Sequence, residues 1–299
     1  MKAAFASGRE REELEDLRHS VRRRLERIEL LLAWDGEVRR SDITNFFNVS
    51  EQQASSDISL YKDFAPYNLI YDTRSKRYLT SEKFEPFFLD LSADRFLSQM
   101  RFLGEEIIEQ DQTWFRQPPS FDIVSNLNGE LDSSLLRDIV LAIRERYSIE
   151  VKYQSMSRPT PTPRRIAPHS LAFNGRRWHV RAWCFKREQF RDFVLSRFLS
   201  ASVAELSDIS SDSDADWNTY RDVIVRPHQE LSEPQQKAVS RDYGLRRGRS
   251  KLRIRQALLM YFVDFYRLDP RVFGKLSPEH LQIQLENWDE LEDHIPELK

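Results

Sequence analysis

One cysteine, Cys184, stands in a chain of 299 residues. A single thiol closes no disulfide within a chain and completes no cysteine-based zinc site, so the expected compartment is a reducing cytoplasm. Long apolar runs are also missing. No stretch of about 18 apolar residues is present to cross a membrane, and Met1 to Arg11 lacks the apolar segment of a secretory leader. Glycine is scarce, with 8 residues. The nearest imitation of a phosphate-binding loop, Gly244 and Gly248, is followed by Arg249-Ser250 where such a loop needs Lys-Ser or Lys-Thr. The six histidines supply no helical His-x-x-x-His pair for zinc. Without a converging set of acid, base, nucleophile or metal ligands the expectation is a protein that is not an enzyme and carries no cofactor. The one catalytic alternative is a nucleotide phosphodiesterase built on His169, His179 and Ser155. A histidine that donates to a phosphate or caps a strand is the preferred reading of the same residues.

What is present is unevenly distributed charge. The chain as a whole is at -2, yet residues 148 to 203 hold 11 Lys and Arg against 3 Asp and Glu, a local net of +8. Localised positive charge points to an anionic ligand, because solubility alone needs no such clustering. Within this stretch Asn174-Gly175, flanked by apolar runs, is the pair favoured in a type I′ hairpin turn, where both residues take positive φ. On the following strand the period of two puts Trp178, Val180, Ala182 and Cys184 on a core face, with Arg177, His179, Arg181 and Trp183 opposite. Ser157 to Arg165, with three prolines, reads as a stiff loop.

Upstream, Leu14, Leu17, Val21, Leu25, Ile28, Leu31 and Leu32 recur at helical spacing up to Trp34. The other face, with Arg18, Arg22, Arg23, Arg24 and Arg27, is expected to be solvated or to meet a second subunit. Gly36 ends this helix. A short helix with Ile43, Phe46 and Phe47 apolar follows, and then Ser50-Glu51-Gln52-Gln53 forms a reciprocal capping box. The third helix packs Ala54, Ile58 and Tyr61 inward. Ser50, Gln52, Gln53, Ser55, Ser56, Ser59 and Lys62 are left outward or flanking, a face of amides and hydroxyls that suits base edges in a major groove. Leu69 to Leu79 has two β-prone ends around a basic tip, as in the wing of a winged helix. Its Arg74, Lys76 and Arg77 would meet phosphates or the minor groove.

Helical patterns over 93–106 and 131–147 flank a turn-rich stretch and are expected to bridge two domains. Past residue 203 the chain is first acidic, then basic from Arg241 to Arg255. Lys251 to Tyr266 follows as a helix apolar over much of its girth, which needs cover. An acidic end closes the sequence.

Residues 147–203 resemble the WYL domain. Tyr153-x-Ser155 lies on the first strand, Pro168-His169 precedes the hairpin, Trp178-His179-Val180 stands at the Trp-Tyr-Leu position, and Ser196-Arg197 closes the last strand. The layout is similar to that of WYL-domain transcriptional regulators with an N-terminal winged helix-turn-helix, in particular the BrxR and CapW group of anti-phage defence regulators. The resemblance implies an α+β protein in four parts. These are a winged helix-turn-helix over 1–90, a helical linker over 91–146, an Sm-like (SH3-like) WYL β-barrel over 147–203 and an α/β dimerisation extension over 204–299. It further implies a homodimeric repressor of a phage-defence locus on a palindromic double-stranded operator, controlled by a nucleotide or short nucleic acid at the barrel. Tyr153, Ser155, His169, Arg181 and Arg197 are the expected pocket, with Arg165 and Arg177 at its rim. An RNA- or single-strand-binding interaction module is the competing expectation.

Overall fold

The computed structural model describes residues 17–295 apart from 114, 125, 126, 128 and 130, and of Asp111 the backbone alone. The chain divides into two compact units, residues 1–126 and 127–299. Leu14 to Asp16, the start of the expected first helix, lies outside the described residues.

In the first unit, helix α1 (His19–Trp34) stops at Asp35, and Gly36 at φ +75° turns the chain into the short strand β1 (Glu37–Val38). Helix α2 (Arg40–Phe47) ends on Asn48, left-handed at φ 52°, and α3 (Glu51–Phe64) begins after it. Strands β2 (Leu69–Asp72) and β3 (Arg77–Thr80) then pair antiparallel, and β1 adds to β3 to give the order β1-β3-β2. Three helices and a hairpin on one core make a winged helix. The core holds Leu25, Ile28, Leu31, Val38, Ile43, Ala54, Ile58 and Tyr61, so the inward face expected of the third helix is the one observed. Helix α4 (Ala93–Gly104) follows. Its Phe96 ring lies 4.4 Å from that of Trp34 and 4.8 Å from that of Phe115, which seats the connector on the winged helix.

The charged face of α1 is solvated only in part: Arg18 and Arg23 are exposed, but Arg24 and Arg27 are buried. Arg24 grips Asp57 of α3 through Nε at 2.6 Å and Nη2 at 3.1 Å. Glu29, fully buried, accepts from the backbone N–H groups of Phe87, Phe88 and Leu89 at 2.7 to 2.9 Å and from the Tyr61 hydroxyl at 3.2 Å. Burial pushes the Glu29 carboxyl up from its ordinary range, while the three amides pull the other way. The strand-free segment after the wing is thereby pinned to the first helix.

The second unit opens with α5 (Ser133–Glu145), capped by Asp132, whose carboxylate accepts from Ser134 N–H at 2.7 Å. Strands β4 (Tyr147–Tyr153), β5 (Thr162–Phe173), β6 (Trp178–Cys184), β7 (Gln189–Val194) and β8 (Phe198–Leu206) form an antiparallel sheet of order β7-β6-β5-β4-β8. Irregular register within β4–β8 and β5–β6 bends it. Among the described residues no ladder joins β7 to β8, so the hydrogen-bonded sheet is open where a closed barrel was expected. Helix α5 is part of this sheet's own core, through Leu135, Ile139 and Ala142 beside Ile149, Ile166, Val180 and Phe198.

The hairpin at Asn174-Gly175 is present in another form. Its loop spans four residues, with Phe173 paired to Trp178. Gly175 alone has positive φ, at +89°, and the Asn174 side chain accepts from the N–H groups of Arg176 and Arg177 at 3.0 and 2.9 Å. The asparagine shapes the turn through its side chain and not through its own backbone angle.

After the sheet come the short helix α6 (Ala215–Asn218), β9 (Tyr220–Pro227), α7 (Glu233–Asp242), β10 (Ser250–Arg255), α8 (Gln256–Phe265), α9 (Pro270–Phe273), α10 (Pro278–Leu281), β11 (Ile283–Leu285) and α11 (Trp288–Leu291). Strands order as β10-β9-β11 over a core of Val223, Val225, Leu259, Val263, Ile283 and Leu291. No helix of the described residues is long and apolar enough to cross a membrane.

Candidate nucleic-acid interface and ligand cavity

Helix α3 is started by Ser50, whose Oγ accepts from Gln53 N–H at 3.1 Å. The expected reciprocal bond is replaced by another, because the Gln53 Nε2 donates to Asp57 Oδ1 at 3.0 Å. Asp57 therefore fixes both Arg24 from below and Gln53 on the open side. Gln53 keeps its amide oxygen free to accept. Ser55 and Ser56 donate their hydroxyl protons to the carbonyls of Glu51 and Gln52 at 2.8 and 3.0 Å, which leaves each a lone pair as acceptor. Gln52, Gln53, Ser56, Ser59 and Lys62 are exposed and Ser55 is half-buried. Such a face presents acceptors to base amino groups, with one cation at its far end.

The wing separates its three basic residues. Asp72 accepts from Arg74 N–H at 3.0 Å and from the Ser75 hydroxyl, and Lys76 takes φ 54°, so a tight turn projects Arg74 and Lys76 into solvent. Arg77 is instead engaged. It binds Glu37 through Nη1 and the Ser75 hydroxyl through Nε at 2.8 Å. Glu37 also takes Arg116 at 2.9 Å and Arg39 at 3.2 Å. These cations hold its carboxyl below the ordinary range against the opposing effect of burial. A phosphate would compete with Glu37 for Arg77, whereas Arg74 and Lys76 have no such rival.

In the second unit a cavity of about 340 Å³ opens among β4, β6, β7 and α8 and the loops beside them. Of the seven residues expected at a ligand pocket it gathers four, Tyr153, Ser155, Arg177 and Arg197. Tyr153 is a buried wall, its ring packed edge-on to Phe193 and Phe198 and its hydroxyl accepting from Val194 N–H at 3.1 Å.

The other three are placed elsewhere by carboxylates. Arg181 is buried and donates to Asp214 at 2.7 and 2.9 Å and to Asp192 at 3.3 Å. His169 Nε2 lies 3.0 Å from the same Asp214 oxygen that Arg181 Nε meets. Arg165 pairs with Glu205 and lies over the Phe185 ring at 4.6 Å. Asp214 caps α6 by accepting from Trp217 N–H at 3.1 Å. Burial works against its charge, but the hydrogen bonds of Arg181 and His169 outweigh it and hold the carboxyl well below the usual carboxylate range. Of the expected charged face of β6, Arg181 is thus covered by the chain's own later segment, while Arg177 stays exposed at the cavity. The acid–base set of His169, His179 and Ser155 is not assembled either, since His169 is held at Asp214 and does not line the cavity.

Arg164, Arg187, Arg191 and Tyr261 line the cavity without having been expected there, and His179 was expected only in the catalytic alternative. Alternation along Gln189–Val194 could have found Arg191. Nothing local signals Tyr261, which arrives from α8, far along the chain. Five arginines line the cavity, Arg164, Arg177, Arg187, Arg191 and Arg197, and none makes a side-chain ion pair among the described residues. Asp192 is the one carboxylate among the lining residues described. His179 is 2% exposed, with an Nδ1 that has no hydrogen-bond partner, and Arg164 Nη1 is likewise buried and unpartnered. Burial depresses the His179 pKa, with Asp192 opposing, which favours the neutral ring. The arrangement offers an anion guanidinium donors on several sides. No metal-binding cluster of His, Cys, Asp or Glu occurs among the described residues.

Three family profiles match the chain. Residues 20–102 match the BrxR transcriptional regulator winged helix-turn-helix domain, 134–203 the WYL domain, and 220–291 the BrxR transcriptional regulator C-terminal dimerization domain. The chain is 34% identical to the DNA-binding transcriptional repressor CapW of Stenotrophomonas maltophilia, over 94% of each chain. It is 38% identical to CapW of Escherichia coli strain KTE188 over 90% of each, and 36% identical to CapW of Pseudomonas aeruginosa over 91% of each.

Proposed function

Because the chain belongs to the family of the CapW DNA-binding transcriptional repressors, we propose that it is a homodimeric, sequence-specific repressor released from its operator by a nucleotide or short nucleic acid. The proposed base-reading face is that of α3, namely Ser50, Gln52, Gln53, Ser55, Ser56, Ser59 and Lys62. Arg74 and Lys76 of the wing take phosphates, and Arg77 does so only by leaving Glu37. A twofold dimer reads a palindrome, with half-sites about 10 base pairs or a multiple apart. A phage-defence locus is the proposed target on the strength of the resemblance to BrxR and CapW regulators.

The observation that carries ligand control is the cavity of five unpaired arginines over the unpartnered His179 Nδ1. His179 Nδ1 and Arg164 Nη1, buried and unsatisfied, cost stability that a bound anion would offset, and the exposed Arg177, Arg187 and Arg191 add positive field at the mouth. The volume is near the lower end of small-molecule sites, about 300 to 1,000 Å³. One nucleotide unit therefore enters, and further phosphates lie along Arg177, Arg187 and Arg191 at the open side.

A gel shift on the DNA upstream of the protein's own gene, with and without a 5′-phosphorylated trinucleotide, tests both halves. The proposal expects a discrete shifted band that the trinucleotide dissolves. Binding of the trinucleotide with no affinity for duplex DNA would instead support a single-strand or RNA-binding module.

A further inference from the structure

Helix α8 has two working faces. Leu259 and Val263 are buried in the carboxy-terminal core, while Tyr261 and Phe265, one turn apart, meet the sheet. The Tyr261 hydroxyl donates to Asp192 Oδ2 at 3.0 Å, and its ring lies 5.0 Å from that of His179 at an interplanar angle of 34°. Phe265 lies so close to Gly175 that a Cβ there would come within 2.6 Å of its ring. The cover that so apolar a helix needs comes in part from the chain itself.

Asp192 stands at the junction. One oxygen takes Tyr261 and the other Arg181, and its carboxylate is part of the cavity wall. A phosphate drawn in by Arg177, Arg191 and Arg197 arrives beside a like charge. That repulsion is felt only in the arrangement that keeps Asp192 in the wall, and a ligand shifts an equilibrium only through such a difference between states.

We propose that Asp192 and Tyr261 couple the cavity to the dimerisation domain: an anionic ligand displaces the Asp192 carboxylate, the Tyr261 bond to it is lost, and α8 is freed to take a second position. This rests on the ligand reading above and adds the route by which occupancy is felt. Tyr261 is here a positioning residue, and ligand affinity resides in the arginines.

The test measures two quantities on the full-length dimer. One is the affinity of a fluorescent 5′-phosphorylated trithymidylate, and the other is the concentration of that oligonucleotide that releases half of the bound operator. Tyr261→Phe keeps ring and packing and removes the bond. Because the bond that holds α8 is already absent, it is expected to bind the probe at least as tightly as wild type and to need at least tenfold less of it for release. Asp192→Asn removes the repulsion, so it should bind the probe more tightly yet release poorly. If Tyr261→Phe releases like wild type, or if it loses probe affinity as far as Arg197→Ala does, the coupling role is overturned. If wild type itself fails to bind the probe, the ligand reading falls, and the inference with it.

Discussion

Both units bury an arginine against a carboxylate at a place where periodicity indicates an open charged face. In the winged helix it is Arg24 on Asp57, and in the sheet it is Arg181 on Asp214. Both units also leave arginines without an ion pair among the described residues, Arg74 in the wing and Arg177, Arg191 and Arg197 at the cavity. Sequence composition is the same in the two sets. What separates them is a carboxylate brought from 33 residues away in each buried pair. Available charge, and not arginine as such, marks a candidate anion site, because a paired guanidinium must give up an internal partner before it can take a phosphate.

The comparison is broken most severely at the buried pairs. Asp57→Ala strands the Arg24 charge and should lower the unfolding free energy of the winged helix by about 3 to 5 kcal/mol, read by chemical denaturation. Replacing both partners with apolar residues of similar volume should cost far less. A small loss in the single variant would show that water reaches Arg24.

Asp214 extends the comparison to pH. Its carboxyl is depressed in the folded state, so its stabilisation is fully present above the ordinary carboxylate range and is lost as pH falls toward the depressed value. Melting temperature followed downward from pH 6 should fall more steeply for wild type than for Asp214→Asn, which begins less stable. Parallel curves would contradict the assignment. Gly175→Ala tests the α8 contact. A side chain at φ +89° meeting Phe265 should cost about 1 to 2 kcal/mol in the thermal stability of the second unit. The smallest effects belong to the wing. Arg74→Ala should reduce the slope of operator affinity against salt by about 1, and Arg77→Ala, already neutralised by Glu37, should change it less. Equal slopes would mean that Arg77 leaves Glu37 on DNA.

Much of this was legible in the chain. Helical spacing and the Ser50 cap located α1 and α3, the Leu69 to Leu79 pattern gave the wing, and the WYL resemblance located the sheet with Tyr153, Ser155, Arg177 and Arg197 together. The rest depended on contacts that no local pattern records. Arg181 and His169 share a face of β6 and β5 with the expected pocket, but Asp214 follows in the chain and takes both. Helix α5 read as a bridge because its amphipathic face does not say which sheet it covers. Tyr261 read as one more apolar position on a helix in want of a partner.

The measurement that bears most directly on the central claim is operator binding by Arg197→Ala, followed by fluorescence anisotropy while 5′-phosphorylated trithymidylate is added. Arg197 is half-buried and lines the cavity without a partner. The account predicts operator affinity within about twofold of wild type and release by the oligonucleotide weakened at least tenfold, about 1.4 kcal/mol or more. Loss of operator affinity as large as that of a wing variant such as Arg74→Ala, with release unchanged, would place the cavity's arginines in the DNA interface and contradict it.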